Sequence, residues 1–362
     1  MPKRVYNFCP GPCTLPYEVL EETQSELVNY KDTGMSIIEH SHRGKHYDEV
    51  HCEVVDLVRE LLAVPDEFTI LLIQGGATLQ FAMSAMNLLA PDDKAGFVNS
   101  GHWAKLAIKD ARVYANVYTA WDGSAGNFSR SPRAEEIELE SDTSYLHVTT
   151  NETIGGVRLF EWPDVGVPLV ADMSSDYLSR PIPWELMNVA YGGAQKNIGP
   201  SGVALVIVRK SVLETKPREL PSYLDYRRQH ESGSRFNTPA VFPIYVAGKV
   251  LKYYKEHGGV EEFAKIARIK SGHVYNAIDA SDGFYDCPVH GESRSLMNVV
   301  FRLPSEKLQS EFLEQAASIG LVNLGGHRSV GGLRASIYNS MPMDGAETLA
   351  NFMNDFRAAN SK

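Results

Sequence analysis

Cysteine is scarce in this sequence. Cys9, Cys13, Cys52 and Cys287 are the only four in 362 residues, too sparse for a disulfide framework at this length. They read as reduced thiols, because no second pair or nearby histidine completes a metal site around Cys9 and Cys13. Basic charge is also in deficit: 35 Lys and Arg face 45 Asp and Glu, for a net charge of −10. Such a balance argues against a nucleic-acid partner, since phosphate backbones attract basic surfaces. It leaves room for a small anionic ligand, because local basic residues can oppose the global sign. No apolar run approaches the roughly 20 residues that span a bilayer, so no membrane partner is expected. Met1–Phe8 lacks the apolar stretch of a signal peptide. Internal repeats and low-complexity tracts are missing too. What remains is the expectation of a soluble, cytoplasmic protein, and 43% apolar with 22% charged residues is the mix of a folded chain. The length allows two or three domains.

What is present is an alternation of strand and helix patterns. Residues 1–15 are rich in Pro and Gly and form an extended arm, and Pro16 fits the first turn of a helix running to about Lys31. Val50, Val54, Leu57, Val58 and Leu61 have helical spacing within His46–Ala63. Strands are expected at Thr69–Ile73, Ala95–Asn99, Val117–Trp121, Tyr145–Thr149, Pro168–Asp172 and Val203–Val208. Helices are expected after Gly75-Gly76, over His102–Tyr114 and, weakly, over Ala134–Leu139. This is an α/β pattern, a mostly parallel sheet between helices, and ligands of such sheets sit beyond the carboxyl ends of the strands. Long helices follow at Pro239–His257 and from Val260 towards Ala280. Then the character changes: strand Met297–Leu303, helix Ser305–Ile319, strand Gly332–Tyr338 and helix Asp344–Arg357 suit a smaller α+β domain. The large domain is therefore expected over residues 16–258, and the small one over 1–15 with 259–362.

One lysine organises the chemistry. Lys196 stands in Tyr191-Gly-Gly-Ala-Gln-Lys-Asn-Ile-Gly-Pro-Ser-Gly202, between two glycine-rich turns and before a buried strand. An amine held there, away from water, has a depressed pKa and is nucleophilic; a surface lysine in a flexible loop is the plainer reading of the motif alone. Asp172 ends a strand 24 residues earlier. A carboxylate behind a pyridine nitrogen and a lysine that condenses with an aldehyde are the two groups pyridoxal phosphate requires. Gly75-Gly-Ala77-Thr78 opens a helix straight after a strand, which makes a phosphate seat or merely a tight turn. The dinucleotide and nucleotide glycine fingerprints are absent, so the phosphate belongs to a compact cofactor. Trp103 opens another helix and can stack on a planar ring, or be core. Thr153, in Asn151-Glu-Thr153, falls at the same sheet edge.

Basic groups complete the set. His42-Arg43 and His327-Arg328 lie in glycine-bearing loops, and Arg334 lies inside an apolar strand where a buried charge needs a partner. Together they suggest a doubly anionic substrate, although each pair taken singly reads as solvated loop charge. The run His40, His42, His46, His51 lacks an acid in zinc-protease spacing, so no metal site is expected.

With these residues in view, the chain resembles the phosphoserine aminotransferase family, within the class V group of fold-type-I pyridoxal-phosphate enzymes. The likeness covers nearly the whole length. It rests on Asn7-Phe-Cys-Pro-Gly-Pro12, Ser41-His-Arg-Gly44, Ala194-Gln-Lys-Asn-Ile-Gly-Pro200, Phe236-Asn-Thr-Pro239 and Gly325-Gly-His-Arg-Ser-Val-Gly-Gly-Leu-Arg-Ala-Ser-Ile-Tyr-Asn339. The resemblance implies that Lys196 is the Schiff-base lysine, that Asp172 pairs with the pyridinium nitrogen, that Trp103 stacks on the ring and that Thr153 holds its hydroxyl. It implies that Ala77, Thr78, Ser174 and Gln195 bind the cofactor phosphate, with Asn237 and Thr238 reaching it from the second subunit of a homodimer. Arg334 would clamp the substrate α-carboxylate. His42, Arg43, His327 and Arg328 would meet the substrate phosphate or the γ-carboxylate of glutamate, some across the interface. Some relatives carry an arginine in the Gly75–Gln80 turn where this chain has Thr78, so its share of anion binding falls on other residues here.

The implied reaction is a transamination between L-glutamate and 3-phosphohydroxypyruvate, a phosphorylated 2-oxo acid, in serine biosynthesis. The sequence does not separate this from added activity on phosphohydroxythreonine in pyridoxine synthesis. Two rivals stand beside it: a neighbouring class V activity such as a glyoxylate aminotransferase or a cysteine desulfurase, and a cofactor-binding protein without turnover. The desulfurase needs a mobile-loop cysteine that this chain does not obviously offer, and the paired His-Arg loops favour a phosphorylated substrate.

Overall fold

The strand Phe68–Gln74 explains the layering. Ile70 and Leu72 pack into one core, and Leu71 and Ile73 into another, so consecutive side chains enter opposite hydrophobic layers. A strand apolar on both faces must be covered on both faces. A computed structural model describes residues 4–361; residues 1–3 of the expected arm, and Lys362, lie outside the described residues.

The strands, in chain order, are β1 (Tyr6–Asn7), β2 (Phe68–Gln74), β3 (Lys94–Asn99), β4 (Asn116–Asp122), β5 (Thr143–Thr149), β6 (Asn151–Glu152), β7 (Val157–Arg158), β8 (Leu169–Asp172), β9 (Met187–Gly193), β10 (Val203–Arg209), β11 (Asn298–Phe301), β12 (Leu321–Val322) and β13 (Leu333–Ser336). The helices are α1 (Tyr17–Glu26), α2 (Lys45–Leu61), α3 (Ala77–Leu88), α4 (His102–Ala111), α5 (Tyr226–Glu231), α6 (Val241–Glu256), α7 (Gly259–Asp279), α8 (Glu306–Ser318) and α9 (Met343–Asn360). The main sheet has seven strands in the order β2-β10-β9-β8-β5-β3-β4. β10 is antiparallel to both its neighbours, and the other pairings are parallel. Hence six of the seven strands point the same way, and their carboxyl ends share one edge.

Helices α2 and α6 cover one face, through Val50, Val54, Val250 and Leu251. Helices α3 and α4 cover the other, through Phe81, Met83, Ala107 and Ile108. A further core joins α7, α8 and α9 to the antiparallel pair β11–β13. The N-terminal arm belongs to that core: β1 pairs with β12, and Phe8 is fully buried in it. Among the described residues no helix is long and apolar enough to cross a membrane.

Local readings differ in three places. Ala134–Leu139 is not an α-helix. It keeps a single 3-10 turn at Ala134–Glu136, after which Glu138 N–H bonds back to the Ala120 carbonyl as extended chain. Helix α1 stops at Glu26, short of Lys31, because Asn29 and Thr33 turn the chain: the Asn29 side chain accepts from Gly34 N–H, and the Thr33 hydroxyl donates to the Tyr30 carbonyl. Gly192-Gly193 is not a turn but the end of β9, where Gly193 pairs with Ala204. Those glycines serve close approach instead, since a Cβ on Gly192 would lie 2.7 Å from the Tyr177 ring.

Candidate active site

Lys196 lies three residues beyond β9, and the fold buries it to 7% exposure. Its amine donates to Thr153 Oγ1 at 2.5 Å and stands 5.8 Å from the centre of the Trp103 ring. The N-terminal arm braces its backbone: Cys13 Sγ donates to the Lys196 carbonyl at 2.5 Å, and Cys13 N–H to the Gln195 carbonyl at 3.0 Å. Burial lowers the amine's pKa to about 8, although the charges of Asp172 and Glu152 pull it back up and Arg334 pushes it further down. Burial likewise raises the Asp172 carboxyl, opposed by its hydrogen bonds from Ser174 and by the charge of Lys196. Both groups are driven towards their neutral forms by the same cause, loss of water.

Asp172 ends β8, paired with Tyr191 on β9 and 4% exposed. Its Oδ1 accepts from Ser174 N–H at 2.9 Å and from the Ser174 hydroxyl at 2.6 Å. The Ser174 hydroxyl, which the resemblance puts at the cofactor phosphate, also accepts from Gly193 N–H at 3.3 Å. Thr153 is fixed in turn, donating to Ser175 Oγ at 3.1 Å.

Arg334, on β13, is 5% exposed and donates from Nη1 to the Thr153 carbonyl at 3.2 Å, while its Nε has no partner among the described residues. Burial lowers its pKa. The buried Trp103 indole N–H is also unpartnered. At the end of β2, α3 starts at Ala77 with no side chain capping it and no acid in its first turn, and Thr78 is exposed there. The structure therefore brings Lys196, Thr153, Trp103, Asp172, Ser174 and Arg334 into one buried cluster, with the open end of α3 on the same sheet edge. A nucleophilic amine, a buried acid, an aromatic ring and an uncapped helix end are what a planar, phosphate-bearing aldehyde requires.

Other expected residues stand apart. His42 and Arg43 precede α2; His42 Nε2 is buried without a partner and Arg43 is exposed. His327 Nδ1 bonds the Ser329 hydroxyl at 2.7 Å, its ring lies 5.8 Å from that of His102, and Arg328 is exposed. Asn237 and Thr238 are exposed and lean on Gln74: Asn237 Nδ2 donates to Gln74 Oε1 at 3.2 Å, and Gln74 Nε2 to the Thr238 carbonyl at 2.5 Å. Gln195 is half-buried beside Lys196. The His40 and His46 rings approach to 4.7 Å, but among the described residues no group of three or more His, Cys, Asp or Glu is placed to hold a metal ion.

Two buried charged residues near this cluster escaped the sequence reading. Glu152 is fully buried, and its carboxylate accepts from the N–H groups of Trp103 and Ala104 at 3.0 and 2.9 Å. Its signal was there: a charge inside Thr149-Thr-Asn-Glu-Thr153, at the end of a buried strand, must find donors. Lys270 is also fully buried and donates to the carbonyls of Tyr338, Asn339 and Met341 at 2.6, 3.3 and 2.9 Å. Asn339 N–H in turn bonds Asn197 Oδ1 at 2.9 Å, next to Lys196.

Residues 5–349 match the family described as aminotransferase class-V. The chain is 46% identical over 358 residues to a phosphoserine aminotransferase of Lysinibacillus sphaericus (strain C3-41), with 99% of each covered. Its fold matches the solved phosphoserine aminotransferase from Bacillus circulans subsp. alkalophilus with a TM-score of 0.96, at 46% identity over 98% of this chain and 99% of that one. It is also similar to a phosphoserine aminotransferase with PLP bound from Trichomonas vaginalis: TM-score 0.92, 36% identity, 97% and 99% coverage.

Proposed function

This chain belongs to the class-V aminotransferases and, within them, to the phosphoserine aminotransferase family, and we propose that Lys196 is its cofactor-bearing amine. The enzyme transfers the amino group of L-glutamate to 3-phosphohydroxypyruvate, giving O-phospho-L-serine and 2-oxoglutarate. Pyridoxal phosphate, when bound, supplies an electron sink for the negative charge that develops at the amino acid's Cα.

The chain's own groups do the rest. Lys196 would hold the cofactor through its aldehyde, and its neutral Nζ is placed to take a proton from the substrate Cα. Thr153, at 2.5 Å, fixes where that amine points. Asp172, oriented by Ser174, would keep the cofactor's ring nitrogen protonated. Trp103 would stack on the cofactor ring, and Ala77 with Thr78 would offer backbone N–H groups to its phosphate. Arg334 takes the substrate α-carboxylate with the nitrogen that has no partner in the protein. Arg328 supplies positive charge for the distal anion of either substrate, and His327, whose pKa burial and the nearby Arg334 lower, meets it with its ring N–H.

The active unit is a homodimer. Asn237 and Thr238, with Phe236 beside them at 45% exposure, serve the partner's phosphate seat. His42 and Arg43 serve the partner's substrate. Support comes from the exposed apolar side chains of Leu27, Val28, Met35 and Ile38 on the chain leading to His42, a face suited to a second copy. Residues 16–258 form the cofactor domain, 1–15 with 259–362 the smaller one, and the enzyme works in the cytoplasm.

The observation that carries the reading is the buried Lys196 amine, bonded to Thr153 and charge-coupled to Asp172. Visible spectra of the purified protein test it. Glutamate should abolish the cofactor's resting band and phosphohydroxypyruvate restore it, with phosphoserine turned over far faster than serine. A band indifferent to glutamate would end this account, and equal rates with serine would move it to a different class V substrate.

A further inference from the structure

Two helices leave the sheet edge beside Lys196 in the same manner. Helix α3 follows Gly76 and α4 follows Gly101, neither has a side-chain cap at that glycine, and neither carries an acid in its first turn. By its own sequence each end is equally open to an anion. They differ in what is already there. At α4, both Glu152 oxygens accept from the helix, Oε2 from Trp103 N–H at 3.0 Å and Oε1 from Ala104 N–H at 2.9 Å. The carboxylate lies so close to the chain that a Cβ on Gly101 would be 2.7 Å from its Cδ. At α3, among the described residues, no side chain bonds the N–H groups of Ala77 or Thr78.

We propose that Glu152 is a positioning residue, a resident anion that closes α4, sets the Trp103 ring over Lys196 and leaves α3 as the seat for the cofactor phosphate. The inference rests on the reading that Lys196 carries pyridoxal phosphate. Glu152 and Thr153 are consecutive and act on different neighbours, since one fixes the backbone of Trp103 and the other accepts the Lys196 amine at 2.5 Å. Their strand is itself immobilised, since Asn151 Nδ2 donates to Ser175 Oγ and to Asn298 Oδ1, both at 2.8 Å, and Asn151 Oδ1 accepts from Ser295 Oγ at 2.6 Å. A second anion at α4 would meet the Glu152 charge at contact distance, whereas α3 offers its dipole unopposed. Burial pushes the Glu152 carboxyl up to about 7, against the two N–H donors and the charge of Lys196, which favour its ionised form.

Glu152→Gln tests this while keeping the shape. Its amide can accept one of the two N–H groups and opposes the other with N–H groups of its own. Wild-type and variant proteins are stripped of cofactor and titrated with pyridoxal phosphate and with phosphate-free pyridoxal. Tryptophan quenching and the circular dichroism of the bound chromophore are followed. Losing a charge-strengthened pair of hydrogen bonds should weaken pyridoxal phosphate binding about 10-fold, shrink the dichroic band and reduce the preference for the phosphorylated ligand. Glu152→Asp should recover part of each; if Glu152→Gln does not fold, the aspartate variant carries the test, with a smaller loss expected. A Glu152→Gln protein with wild-type affinity and an unchanged dichroic band overturns the inference. Failure of the wild-type protein to bind pyridoxal phosphate would instead overturn the Lys196 reading beneath it.

Discussion

Cofactor uptake by stripped protein should depend on pH in a way that reports Lys196 directly. Burial holds this amine at about 8, against 10.5 for an ordinary lysine. At pH 7.5 about a quarter of it is then neutral, where a free lysine has about one part in a thousand. Only the neutral amine attacks an aldehyde, so the uptake rate should climb with pH and level off above about 8. The rate is taken relative to a small alkylamine under the same conditions, which cancels the cofactor's own titration. Two neighbours should move the midpoint in opposite directions. Asp172→Asn removes a charge that raises the amine's pKa, so the midpoint falls; Arg334→Leu removes one that lowers it, so the midpoint rises. Stability follows the same linkage. Between about 8 and 10.5 the unfolded chain binds the proton that the folded chain has released. Stripped protein should therefore gain up to about 3 kcal/mol from this group across that window. Below the window both states are protonated and the penalty is fully present. Stopped-flow absorbance reads the rate and urea unfolding the stability. An uptake midpoint in the ordinary lysine range, or both variants shifting the same way, would refute the reasoning.

Lys270→Met leaves the carbonyls of Asn339 and Met341 without their donor and takes one of two donors from that of Tyr338, which keeps Met341 N–H, and should destabilise the protein by about 3 kcal/mol in urea unfolding. Because burial lowers Lys270 to about 7, wild-type stability should also rise between pH 7 and 10.5 by an increment that this variant lacks. Gly101→Ala forces a methyl onto the Glu152 carboxylate and should cost about 2 kcal/mol, with weaker pyridoxal phosphate binding seen in the same titration. Arg334→Leu should raise KM for glutamate and for phosphoserine by about 10-fold or more in steady-state assays, since both present an α-carboxylate.

Wherever local pattern and tertiary demand agree, the architecture was legible from the residues. Ile70 to Ile73 are apolar without a gap, and a strand buried on both faces needs nothing else. The α2 pattern of Val50, Val54, Leu57 and Val58 has a single meaning, and the structure packs those side chains in one core. Legibility failed where a residue's role is set by something distant in sequence. Gly192 looks like a turn residue, but its bare Cα answers to the Tyr177 ring. Glu152 and Lys270 were overlooked because a single charge in a chain does not reveal whether backbone groups far along it will enclose it. Lys196, Asp172 and Thr153 come together because β9, β8 and β5 deliver their carboxyl ends to one edge, and Trp103 on α4 and Arg334 on β13 reach the same place, so signals weak one by one converge in space.

The whole account turns on a covalent bond at one nitrogen. Borohydride reduction of the cofactor-loaded protein, followed by peptide mass analysis, should place a single pyridoxyl group on Lys196. Lys196→Ala should carry none and lose turnover by orders of magnitude. A group found on another lysine, or a Lys196→Ala protein that still transaminates at a near-normal rate, would contradict it.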